Sequence, residues 1–110
     1  MKNRILGVIT ARGGSKGIPR KNIIKIAGKP LIQYTIDAAL ASHHLDKVVV
    51  STDDEEIAEI SKSLGAEVPF MRPKELAEDH VLSIDVVKHA LSEVEKADKK
   101  KYNIIVLELI

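Results

Sequence analysis

The 110-residue sequence has no cysteine and no tryptophan, and its only aromatic residues are Tyr34, Phe70 and Tyr102. Without cysteine there is no disulfide framework and no thiolate metal site, which fits a reducing cytoplasm. So few aromatics argue against the stacking platforms that hold single-stranded nucleic acid, and no nucleic-acid partner is expected. No apolar stretch approaches the roughly 18 residues needed to cross a membrane. The first apolar run is short and followed by charges, unlike a signal peptide. Acid is also missing where base is dense: Met1 to Ile36 holds eight Lys or Arg and no Asp or Glu, the first acid being Asp37. The whole chain is nearly neutral at +1. The positive field is therefore local, and such a field attracts and holds a polyanion. The length allows one domain or part of one, and 45% hydrophobic residues suffice for a core.

The basic stretch has a definite setting. An apolar run, Ile5-Leu6-Gly7-Val8-Ile9, leads into Ala11-Arg12-Gly13-Gly14-Ser15-Lys16-Gly17-Ile18-Pro19-Arg20-Lys21-Asn22. A strand that empties into a glycine-rich cationic loop points to a phosphate site, because glycine lets backbone N–H groups approach an anion closely. The loop fits neither common phosphate fingerprint. Lys16 precedes Gly17, which breaks the Walker A order, and Gly13, Gly14 and Gly17 do not have dinucleotide spacing. An ordinary ATPase or dehydrogenase is thereby disfavoured. A solvated turn with incidental lysines is the plain alternative.

Strand and helix signals alternate along the chain. Residues 4–10 read as a buried strand. Ile23, Ile24 and Ile26 form a short extended piece closed by Ala27-Gly28-Lys29, with Pro30 as a first helical residue. Leu31, Ile32, Ile36, Ala39 and Leu40 have helical spacing to about Ser42. Val48-Val49-Val50 is a β-branched strand ending at Ser51-Thr52. Asp53 with Glu56 reads as a capping box before the stripe Ile57, Ile60 and Leu64, and Gly65 as the helix stop. Residues 66–70 read as a third strand, at an edge or irregular because of Pro69. A loop follows, with a helical turn near 73–77. Ser83 begins a helix presenting Ile84, Val87, Leu91 and Val94; residues 96–101 are a lysine-rich turn, and 104–107 a fourth strand. This β-α alternation predicts an α/β fold with a mainly parallel sheet and helices on both faces. Ligands in such folds bind beyond the carboxyl ends of the strands at the switch point, where the loop after residue 10 also lies.

Residues 11–22 resemble the amino-terminal signature of the acylneuraminate cytidylyltransferases, or CMP-sialic acid synthetases. Three further blocks agree in order: Ala27-Gly28-Lys29-Pro30-Leu31-Ile32, then Val48 through Ala58 with its Ser51-Thr52-Asp53-Asp54, then Arg72-Pro73-Lys74-Glu75-Leu76-Ala77 with Asp79 and Ser83. Enzymes activating legionaminic, pseudaminic and 3-deoxy-manno-octulosonic acids share parts of the pattern. The resemblance implies a Rossmann-like three-layer nucleotide-binding domain. It also implies transfer of CMP from CTP to the anomeric hydroxyl of a nine-carbon acidic sugar, with release of pyrophosphate and use of Mg²⁺.

Carried over residue by residue, the resemblance assigns Arg12, Lys16 and Lys21 to the CTP phosphates as the catalytic cations. It assigns the nucleotide site to Ala11, Arg12, Gly13, Gly14, Ser15, Lys16 and Asn22, with Asn22 near the ribose and Arg72, Val81 and Ser83 framing the cytosine. Arginine offers a fork to phosphate and lysine a point charge. Two departures stand out. His80-Val81-Leu82 replaces small residues of the Thr-Ala-Ser kind. The fourth strand runs on as Glu108-Leu109-Ile110 where the family has Gln-Pro-Thr-Ser-Pro-Leu-Arg. On the family pattern, residues 1–110 are the CTP-binding half. The metal-binding carboxylates, the acidic-sugar pocket and the homo-oligomer contacts lie in a second half absent here. No metal ligand is assigned within these residues, and the 110-residue chain alone is expected to be inactive.

Plain readings stand beside these. Asp53 and Asp54 could bind a metal, but read better as a helix cap and a first-turn acid. Ser83 can contact a base or cap its helix. Arg20 is loop charge, the histidines lack a zincin pattern, and Lys99-Lys100-Lys101 is a solvated turn. The expectation is a CMP-acidic-sugar synthetase acting in the cytoplasm. The alternatives are a non-catalytic CTP- or anion-binding module, and a nucleotidyltransferase for another sugar or polyol.

Overall fold

The computed structural model describes residues 4–14, 21–78 and 83–108. Strand β1 (Ile5–Thr10) is central, and its residues Leu6 to Ile9 are buried. Strand β4 (Lys47–Ser51) lies parallel on one side, with Leu6 opposite Lys47 and Thr10 opposite Ser51. Strand β5 (Asn103–Glu108) lies parallel on the other, with Ile5 opposite Asn103 and Thr10 opposite Glu108. The order β4-β1-β5 puts β1 between two strands reached by separate crossovers, so the switch point falls at its carboxyl end.

Helix α1 (Leu31–Ala41) and helix α2 (Glu55–Ser63) cover one face of the sheet. There Ile32, Ile36, Ala39 and Ile57 pack on Ile9, Val48 and Val50. Helix α3 (Ser83–Asp98) covers the other, where Ala90 and Val94 meet Leu6, Val8 and Val49. Neighbouring residues of a strand serve opposite cores because side chains alternate with period two. This is the three-layer α/β architecture that the alternation predicted, with apolar strands that need no polar face.

Four local readings are corrected or refined. The third strand expected over residues 66–70 is a single parallel bridge, Val49 with Glu67. Glu67 N donates to Val48 O at 3.0 Å and Val50 N to Glu67 O at 2.9 Å, and Pro69 has no N–H to extend the ladder. The extended piece after the loop is a hairpin of β2 (Lys25–Ile26) and β3 (Lys29–Pro30). Its two-residue turn has φ 53° at Ala27 and 85° at Gly28, the positive pair that a hairpin of this length favours. Pro30 is therefore the extended residue before α1 and not its first helical residue; the Leu31 amide donates to Ile24 O. Finally, the cap of α2 is Asp54, not Asp53. Its Oδ1 accepts from Glu56 N at 2.9 Å and Ile57 N at 3.1 Å.

The far end of α2 follows the sequence closely. Gly65 has φ 103° and donates to Lys62 O, while Ala66 N donates to Ser61 O. This is the paired C-terminal closure that glycine permits. The expected helical turn near 73–77 is a short 3₁₀ turn, Lys74–Leu76, and α3 runs through Asp98 before the chain turns at Lys99.

Candidate functional site

The site forms where β1 and β4 end. Ala11 N donates to Ser51 O at 2.9 Å, extending the ladder one residue beyond β1. Ser51 and Thr52 are wholly buried. Arg72 N donates to Thr52 O at 2.8 Å, so the segment carrying Arg72 lies against the end of β4. The Arg72 side chain folds inward and is only 6% exposed. Its Nε donates to Ser51 Oγ at 3.1 Å, one Nη to Ser51 O at 2.7 Å and the other to Leu76 O at 3.5 Å. Burial pulls the guanidinium below its ordinary range; the Asp53 carboxylate opposes that pull and the Arg12 charge adds to it. Arg72 therefore joins the end of β4 to the Lys74–Leu76 turn.

Arg12 leaves β1 half-buried, with one Nη donating to Ala77 O at 3.4 Å. Its carbonyl accepts from Asn22 Nδ2 at 3.2 Å. Asn22 is 3% exposed, and its Oδ1 is buried with no hydrogen-bond partner among the described residues. A buried acceptor without a partner costs about 1–3 kcal/mol. Asn22 belongs to the 3₁₀ turn Lys21–Ile23, which also positions the half-buried Lys21.

The two loop glycines differ. Gly13 is buried and its N donates to Asp53 Oδ1 at 2.9 Å. A Cβ there would lie 2.9 Å from both Cβ and Oδ2 of Asp54, whereas one at Gly14 would meet nothing within 4 Å. Gly13 is thus required by close approach to the start of α2. Asp53, read from sequence as the helix cap, instead ties the loop to the end of β4.

Arg12, Gly13, Asn22 and Arg72 gather at this end of the sheet, with Ala11 buried beneath and Lys21 next to Asn22 in its 3₁₀ turn. Ser15, Lys16 and Val81 lie outside the described residues, as do Arg20 and His80; Ser83 opens α3. Ser51, Thr52 and Asp53 were not singled out from sequence as part of the site. Their signal was polar residues directly after a β-branched strand, in a fold that binds at strand ends.

No group of three His, Cys, Asp or Glu that could hold a metal occurs among the described residues, and Asp53 and Asp54 are committed to Gly13 and α2. Of the histidines, His89 packs edge-on against Phe70. No helix among the described residues is long and apolar enough to cross a membrane.

A parallel sheet with helices on both faces and a cationic glycine loop at the switch point defines a Rossmann-like α/β domain. The comparisons narrow this class. The cytidylyltransferase family profile matches residues 6–106, and the chain belongs to that family. It is 55% identical over 91 residues to a pseudaminic acid cytidylyltransferase of Campylobacter jejuni, covering 83% of this chain and 38% of that protein. It is 47% identical over 92 residues to an N-acylneuraminate cytidylyltransferase of Escherichia coli, covering 84% of this chain and 22% of the relative. A structure of CMP:2-keto-3-deoxy-manno-octonic acid synthetase complexed with CTP superposes with a TM-score of 0.73 at 30% identity, covering 96% of this chain and 40% of that one. The chain thus spans well under half the length of these relatives.

Proposed function

We propose that this chain is the CTP-binding part of an enzyme that transfers CMP to a nine-carbon acidic sugar, N-acetylneuraminic acid or a relative. The acceptor's anomeric oxygen would form a bond to the α-phosphorus of CTP, the bond from that phosphorus to the bridging oxygen would break, and pyrophosphate would leave. Charge builds on the departing pyrophosphate, and fixed cations stabilise it without reorganising. Arg12, Lys16 and Lys21 fill that role in this reading. Arg72, Val81 and Ser83 would frame the cytosine. In this reading Mg²⁺ is held by carboxylates outside the described residues.

The observation that carries the reading is Asn22. Its Nδ2 donates to the Arg12 carbonyl, and its Oδ1, like Ser61 Oγ and His89 Nδ1, has no hydrogen-bond partner among the described residues, so it is free to accept from a ligand donor that reaches it. A ribose hydroxyl is such a donor. The relatives matched over nearly the same stretch are named for different sugars, so the sugar would be chosen by residues beyond this stretch. The reading places the protein in the cytoplasm, in a homo-oligomer, and expects no turnover by the 110 residues alone.

The reading is tested by competition among CTP, UTP, ATP and GTP, with CTP expected to bind best. Arg12→Ala should weaken CTP by about 1.5–3 kcal/mol, as for a hydrogen bond to a charged group, and cytidine much less. Equal weakening of CTP and cytidine would remove Arg12 from the phosphates. Indiscriminate binding would favour a non-catalytic anion-binding module, consistent with the short span of the family covered. Pyrophosphate release with N-acetylneuraminic, legionaminic or pseudaminic acid would show that 110 residues suffice.

A further inference from the structure

We propose that Asp53 is a positioning residue that fastens the CTP loop, at Gly13, to the end of β4 beside Arg72 before the nucleotide arrives. The inference rests on the reading of this end as the nucleotide site. Asp54 already caps α2 through both Glu56 N and Ile57 N, so the helix does not need Asp53 as a cap. The Asp53 carboxylate instead reaches across 40 positions of sequence to accept from Gly13 N at 2.9 Å. That bond joins the loop leaving β1 to the segment leaving β4. Gly13 is pressed against Asp54 so closely that no Cβ fits without movement, so the tie and the contact act on the same residue.

Charge gives the tie its second use. Arg12 and Arg72 repel one another, and Asp53 attracts Arg72. A carboxylate beside a triphosphate site weakens ligand binding by repulsion if it does nothing else. It is tolerable where it keeps the Arg72 charge and a loop amide in place, so that less ordering remains to be done on binding.

The test compares Asp53→Ala with Asp53→Asn, which keeps an acceptor but no charge. Asp53→Ala should lower CTP affinity by about ten- to a hundredfold, the equivalent of one hydrogen bond to a charged group, while cytidine affinity stays nearly unchanged. Asp53→Asn should recover most of the CTP affinity. Hydrogen exchange at the Gly13 amide is read without ligand: protection should be lost in Asp53→Ala and kept in Asp53→Asn. If Asp53→Ala does not fold, Asp53→Glu, which displaces the acceptor by one methylene, should show the same loss of protection. Unchanged Gly13 exchange in whichever of these two folds would overturn the proposal even if CTP binds the wild-type chain. If the wild-type chain does not bind CTP, the functional reading fails, whereas the tie to Gly13 is still decided by exchange.

Discussion

The two ends of the parallel sheet are built from different chemistry. At the amino end, Lys47 bridges Asp98 at 2.8 Å and Glu67 at 3.3 Å, and Tyr102 OH donates to Asp98 Oδ2 at 2.7 Å. These groups are in reach of water, and each charge has a partner. At the carboxyl end, Ser51, Thr52, Asn22 and Arg72 are buried, and one Asn22 acceptor has no partner there. Burying polar groups is costly unless they are hydrogen-bonded. The amino end avoids that cost by staying wet. The carboxyl end accepts it, using Ser51 to satisfy Arg72, and leaves Asn22 Oδ1 without a partner. Among the described residues, four of the five buried polar or charged side chains lie at this end; the fifth, Ser61, is in α2.

The largest expected effect comes from removing the cation that organises the carboxyl end. Arg72→Ala deletes the bonds to Ser51 Oγ, Ser51 O and Leu76 O. It should destabilise the chain by about 2–4 kcal/mol, as for breaking a buried polar network. Urea denaturation measures it; a loss comparable to that of a surface substitution would erase the distinction between the ends.

A smaller effect separates the glycines. Gly13→Ala forces a Cβ onto Asp54 and should cost about 1–3 kcal/mol, the usual range for overpacking. Gly14→Ala enters open space and should stay within about 0.5 kcal/mol. Equal losses in thermal or urea unfolding would mean that the loop does not seat against α2.

The smallest effect belongs to the amino end and depends on pH. The hydrogen bond from Lys47 and then that from Tyr102 hold the Asp98 carboxyl below the ordinary carboxylate range. Burial works against the Lys47 ammonium, but Asp98 and Glu67 outweigh it and raise its pKa. A depressed carboxyl contributes stability that is full above its unfolded value, about 3.9, and lost as pH falls through the folded value. The raised lysine contributes below about 10.4 and loses that contribution as pH rises through its folded value. Asp98→Asn should therefore flatten the acid limb of the stability profile, as read by urea midpoints between neutral pH and pH 3. An unchanged acid limb would show that the pair is only a surface contact.

Much of this architecture was readable in the residues. The apolar runs at Leu6–Ile9 and Val48–Val50 and the stripe of α2 report burial directly, and Gly65 marks a stop that only a positive φ makes. Readings failed where the decision was tertiary. Asp53 and Asp54 are the same residue type side by side, and only the position of Gly13 shows that the second caps and the first ties. The hairpin at Ala27 was hidden because alanine rarely takes the conformation that it holds there. The strand at 66–70 was shortened by Pro69 to one bridge. Arg72 was legible as a site residue through resemblance, but its burial against Ser51 was not, because arginine is almost never buried unless paired.

The most direct test maps CTP onto an isotopically labelled 110-residue chain by amide chemical shifts. The account predicts saturable shifts at Arg12, Gly13, Asn22 and Arg72, with Lys47, Asp98 and Tyr102 unmoved. Shifts centred on the amino end, or none at CTP concentrations that occupy other nucleotide sites, would contradict it.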